Sequence, residues 1–220
     1  MVFEDFMDLD LIEKTIRRID DDLVRLQYSL AIHKLTRTGD ARVKNEIVRK
    51  LRTQNYRVAF NHIDLVLQQD CALAICRMMD LGTGTHSFWG LKNQCHPNRD
   101  FLIGNAESQY LNSDDNYLAQ RLVNDMKGWI DEFVSKVSNF AKSKEFEAIR
   151  NLRNDTLGHA LIDRKKRRPT IKMIENALPK LEDILRLSYL VFLVTDYRPQ
   201  TAYRYAVKDA DSFWSDFLKS

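Results

Sequence analysis

Ile12, Ile16, Ile19, Leu23, Leu26 and Leu30 recur at alternating steps of four and three. Only a helix with one apolar stripe gathers such residues on one side. Glu13, Arg17, Asp20, Asp21 and Arg25 fall on the rest of its surface. Asp8 or Asp10 is placed to cap its start, and Thr38-Gly39-Asp40 to end it. Helical spacing then recurs from about Val43 to Leu81, through Phe60, Ile63, Leu67, Cys71, Ala74 and Met78. It recurs after Asp114-Asp115, through Leu118, Leu122, Met126, Trp129, Phe133, Val137 and Phe140. A last long helix shows Ile171, Ile174, Leu178, Leu181, Leu185 and Phe192, with Pro179 expected to kink it or mark its start. No stretch alternates as a strand would. With 7 Gly and 4 Pro in 220 residues, turn-formers are too few for a many-stranded sandwich or barrel.

The expectation is an all-α antiparallel helical bundle forming a single domain over residues 1–220. Its core spans about 10–195, built around helices beginning near 10, 43, 117 and 170. A shorter helix covers Ser143 to about Leu157, and an amphipathic tail helix over about 200–220 runs through Tyr205, Phe213, Trp214 and Phe217. The stretch from Ser87 to Asn116 is weaker, with one or two helical turns over Ser87–Asn93. Cys95-His96-Pro97-Asn98 and Asn112-Ser113-Asp114-Asp115 read as turns. Such a length buries a core without disulfide or metal staples.

Composition narrows function mainly by exclusion. Cys71, Cys76 and Cys95 are odd in number and match no zinc spacing, so reduced, buried thiols in a cytoplasmic protein are expected. The start Met1-Val2-Phe3-Glu4-Asp5 does not read as a signal peptide. The longest apolar run, Tyr189 to Val194, is too short to span a bilayer. Gly-rich phosphate loops and HExxH are absent from the sequence, so no cofactor and no metal are expected.

One stretch carries chemistry: Leu152-Arg153-Asn154-Asp155-Thr156-Leu157-Gly158-His159-Ala160. It matches the HEPN signature of arginine, a polar residue and, after a short gap, histidine. A second stretch narrows the likeness. Cys71-Ala72-Leu73-Ala74-Ile75-Cys76-Arg77-Met78-Met79-Asp80, followed by Ser87-Phe88-Trp89-Gly90-Leu91, resembles the AbiU-type abortive-infection HEPN family, in the same order along the chain. The resemblance covers roughly residues 10–195. It implies a HEPN four-helix core with extra helices, and a metal-independent endoribonuclease of a phage-defence or toxin-like system. It implies His159 as the acid or base, Arg153 as the phosphate clamp and Asn154 as a polar donor. Arg77 and Asp80 read as an ion pair or cap at a helix end. HEPN toxins controlled by AMP transfer have tyrosine two residues after the histidine; here that position is Leu161, so that control does not carry over.

The chemistry needs these residue types. Metal-free RNA cleavage uses the substrate's own 2′-hydroxyl, so one group must accept a proton and another must balance charge on the phosphorane. Histidine exchanges protons near neutrality, and arginine makes forked hydrogen bonds to phosphate. On one straight helix, however, six residues separate Arg153 and His159 by roughly 240° and about 9 Å of rise. Either Gly158 ends the helix and re-aims His159, or two copies of the motif meet across a homodimer. Asp155, four residues before His159, is placed to hold the imidazole tautomer or is a plain surface acid.

Charge placement fits an RNA partner. Arg164, Lys165, Lys166, Arg167 and Arg168 carry five positive charges in a chain of net +3, leaving −2 for everything else. They form either a nucleic-acid-binding patch or an ordinary solvated loop. A second basic region, from Arg42 to Arg57, includes Asn55 and Tyr56. Two functional classes stay open: the ribonuclease, or a non-catalytic HEPN module that binds RNA, nucleotide or a protein partner. An antitoxin is neither indicated nor excluded.

Overall fold

A computed structural model describes residues 7–38, 45–46, 49–50, 57–82, 85–110, 116–158 and 170–219. Among these residues there are eight helices and no strand, as the all-α reading expects. They are α1 (Leu9–Thr38), α2 (Arg57–Met78), α3 (Phe88–Cys95), α4 (Arg99–Tyr110), α5 (Asn116–Ala141), α6 (Lys144–Gly158), α7 (Ile171–Leu193) and α8 (Gln200–Lys219). The chain divides into two compact units, each assembled from three separate stretches.

The first unit contains 1–21, 77–143 and 179–198. Asp8 opens α1 by accepting the Leu11 amide on Oδ1 at 3.0 Å, a helix cap of the expected kind. Ile12, Ile16 and Ile19 are buried here, as are Phe88, Leu102, Met126, Phe133, Leu185 and Phe192. Phe133 and Phe192 meet edge to face with centroids 5.8 Å apart. The polar links are specific. Arg99 on α4 grips Asp131 on α5 with both terminal nitrogens, at 2.6 and 2.9 Å. Lys136 on α5 pairs with Asp183 on α7. Tyr189 and Tyr197 stack at 4.3 Å and both donate to the Asp20 carboxylate, at 3.2 and 3.0 Å.

The end of α7 is strained. Val194, a β-branched residue, takes φ 51°, while the Thr195 amide reaches back to the Tyr189 carbonyl at 3.2 Å. A positive φ is costly for a β-branched residue, and it turns the chain so that the next amide closes over the last turns of the helix.

The second unit contains 22–76, 144–178 and 199–220. Leu23, Leu26 and Leu30 continue the buried stripe of α1, and Phe146, Ile149, Ile174 and Leu178 join the unit's buried residues. Ala31 of α1 meets Ala206 and Ala210 of α8, flanked by Tyr28, Ile32, Tyr203 and Val207. The small side chains let the two helices approach closely. Asp70 on α2 receives the Arg25 guanidinium at 3.0 and 3.1 Å and the Ser29 hydroxyl at 3.0 Å.

Several sequence expectations need correction. The weak stretch holds a full second helix, α4, beyond the short α3. Arg99 and Asp131 anchor it, and no periodic pattern announces such an ion pair. Of the two roles open to Pro179, a start is excluded, since it sits inside α7. Lacking an N–H, it leaves the Glu175 carbonyl without its intrahelical donor. Ile63 is exposed, the buried face of α2 running instead through Asp64, Cys71, Ala74, Ile75 and Met78. On α8, Tyr205 and Phe213 face outward, and Ala206, Ala210 and Trp214 are buried. Close packing of alanines selected the face, not aromatic content.

Candidate functional site

Helix α6 positions the Arg-Asn pair. Glu145 and Glu147 stand in its first turn, where carboxylates suit the positive end of the helix dipole. Phe146 and Ile149 are buried at 2% and 0% exposure. Arg153 lies four residues beyond Ile149, on the same face, and is half-buried, whereas Asn154 is exposed. The Arg153 Nε donates to Asn154 Oδ1 at 3.3 Å. This bond engages one of the five guanidinium donors. The forked end makes no hydrogen bond or ion pair among the described residues.

The helix persists through Gly158, the residue before His159. His159 and the run Arg164, Lys165, Lys166, Arg167 and Arg168 lie outside the described residues, as does the side chain of Asp155. Most of the basic region from Arg42 to Arg57 lies outside them too. Of the site residues named from sequence, the structure therefore brings together Arg153 and Asn154.

The family-narrowing stretch proves to be architectural. Asp80 follows the end of α2, and its Oδ1 accepts the Gly82 amide at 3.2 Å. Ser87 is the N-cap of α3, with extended backbone and its hydroxyl accepting the Gly90 amide at 3.1 Å. The same hydroxyl donates to the Asp80 carbonyl at 2.7 Å, so one fully buried serine ties the end of one helix to the start of the next. Gly90 has no room for a side chain: a Cβ there would lie 2.2 Å from the Thr85 carbonyl oxygen. The cap reading of Asp80 fits this geometry.

Sequence reasoning missed a buried pair in the second unit. His33 Nδ1 and Asp64 Oδ1 lie 2.5 Å apart, with the two residues at 2% and 6% exposure. A signal was present, since His33 occupies the apolar register of α1 three residues after Leu30, and Asp64 that of α2 seven before Cys71. A polar residue in each of two buried stripes implies a partner. None of the three cysteines forms a disulfide, and all are buried. Desolvation pushes the thiols of Cys71 and Cys95 up to about 12, which leaves them protonated and poor nucleophiles. Among the described residues no group of three or more His, Cys, Asp or Glu is placed to hold a metal, and no helix is long and apolar enough to cross a membrane.

An all-α chain that carries Arg153-Asn154 on the last turns of a helix, just ahead of a histidine, has the make-up of a HEPN-type protein. The family model described as AbiU2, a HEPN family, matches residues 8–210, and the chain belongs to that family. Its class is that of an abortive-infection HEPN module. No curated protein and no solved structure matches the chain.

Proposed function

We propose that the chain is a metal-independent endoribonuclease acting in phage defence. The observation that carries this reading is family membership across residues 8–210 together with Arg153, whose forked end is unengaged among the described residues. Arg153 clamps a non-bridging phosphate oxygen, and Asn154 donates to phosphate or sugar. His159 accepts the 2′-hydroxyl proton as the 2′-oxygen bonds to phosphorus. The bond from phosphorus to the 5′-oxygen breaks, and that oxygen takes up a proton. The products are a 2′,3′-cyclic phosphate and a 5′-hydroxyl.

A continuous helical turn spreads successive side chains by about 100°. We therefore take the working form to be a homodimer in which two copies of the motif share one cleft. Arg164, Lys165, Lys166, Arg167 and Arg168 attract the RNA backbone in this scheme.

The test is cleavage of RNA by the purified chain with EDTA present. Arg153→Ala and His159→Ala should each lower the rate by about 10²–10⁴-fold without loss of fold, because positioned acid–base and charge-balancing groups contribute on that scale. Activity that survives His159→Ala, or products bearing 5′-phosphates, would replace this reading with a non-catalytic module that binds RNA, nucleotide or a protein partner.

A further inference from the structure

Helix α6 carries a second arginine beside the motif, and helix geometry decides which face it shares. Side chains step by about 100° and 1.5 Å per residue, so Arg150 projects about 60° from Arg153 and about 40° from Asn154. It lies between the two in direction, roughly one turn nearer the start of the helix. Ala148, nearly opposite Arg150, is buried and fixes the roll of α6. Arg150 and Asn154 are accordingly exposed, and Arg153 is half-buried.

Arg150 makes no hydrogen bond or ion pair among the described residues. The acid one turn back, Glu147, is exposed and does not pair with it. Glu147 belongs to the first turn, where a carboxylate complements the positive end of the helix dipole. Even with that acid counted in full, Glu147, Arg150 and Arg153 sum to +1. Asn154 completes the face. Its Oδ1 accepts from Arg153 Nε at 3.3 Å, which leaves the amide N–H groups to meet a ligand.

We infer that Arg150 binds the RNA phosphate next to the one being cut, and so sets how much of the strand this face of α6 holds. The identity of the ligand rests on the cleavage reading above. In that scheme the scissile phosphate lies between Arg153 and a histidine that follows the end of α6. Arg150 stands one turn back from that end, so the phosphate within its reach is the neighbouring one. Asn154 meets the sugar or phosphate between them. A strand continuing past Arg150 would meet the negative charge of Glu147, so the RNA leaves the helix there.

Two measurements test this, the first without cleavage. Fluorescence anisotropy reads binding of the full chain to a short 2′-O-methyl oligoribonucleotide of mixed sequence, which lacks the hydroxyl the reaction needs. Arg150→Ala should weaken binding by roughly three- to tenfold, the loss of one exposed charged contact. Its plot of log affinity against log salt should be shallower by about 0.7, the share of one phosphate contact to a single strand. Arg150→Lys should restore the slope, and Glu147→Gln should bind at least as tightly as the parent. The second measurement compares cleavage of a dinucleoside monophosphate and a trinucleoside diphosphate. The shorter substrate has the scissile phosphate alone, so Arg150→Ala should match the parent on it. On the longer one the variant should fall behind, through KM and not kcat. An unchanged salt slope in Arg150→Ala, an equal loss on both substrates, or weaker binding in Glu147→Gln would each overturn the assignment. A chain that binds RNA without cutting it fails the cleavage reading, and the salt slope still decides whether Arg150 holds a phosphate.

Discussion

At the scale of single residues, two kinds of polar group carry information, and the sequence exposes them unequally. Arg153, Asn154 and His159 stand out because their spacing is a chemical pattern. Asp20, Tyr189 and Tyr197 do not, because nothing local says that residues 169 positions apart share a carboxylate. Burial raises the Asp20 carboxyl above its usual range, against the pull of both phenols. Desolvation and the same carboxylate push Tyr189 up to about 12 and Tyr197 up as well. A phenol with a raised value in the folded state contributes stability below the ordinary tyrosine range, lost as pH climbs through the folded value. Tyr189→Phe removes one hydrogen bond, about 1 kcal/mol at neutral pH. Its deficit against the parent should shrink between about pH 10 and 12, since only the parent has that phenol to ionise. Urea unfolding across that range measures it, and a constant gap would mean Tyr189 has no coupling to folding.

At the scale of elements, apolar spacing located the long helices because each buries a continuous stripe. All six residues read on α1 are buried, as are Met126, Phe133, Val137 and Phe140 on α5. Spacing failed where the buried face is short or made of small residues, or where polar contacts join the elements. Helix α4 depends on an ion pair to α5, α8 turns its alanines inward, and the link between α2 and α3 is made by hydrogen bonds. That link gives a sharp prediction. Ser87→Ala removes a cap and one of the two hydroxyl bonds to the Asp80 carbonyl, and should cost about 1–2 kcal/mol. Gly90→Ala should cost about 1–3 kcal/mol by forcing the Thr85 backbone away. Denaturant midpoints falling in both variants would support the link; an unchanged Gly90→Ala would mean the turn yields without penalty.

For the whole molecule, the fold class was legible and its division into two interleaved units was not, since no composition shift or linker marks the breaks. The candidate site could be named by residue type alone, because a motif names groups without placing them. If the motif works in pairs, light scattering at micromolar concentration should give twice the 25.8 kDa chain mass. Replacing Arg164, Lys165, Lys166, Arg167 and Arg168 by glutamine should leave that mass unchanged and flatten the salt dependence of RNA binding. A monomer would remove the shared cleft from the proposal. The interleaving has a consequence in time. One unit needs strands of sequence from before residue 22 and from as late as Arg198, and the other draws on residues beyond Pro199. A ribosome supplies these in order, so neither unit has all its parts until the last helices emerge. Helix α6, which carries Arg153, belongs to the unit completed last, so on the proposed reading RNA cleavage should be absent from a chain that stops before α8.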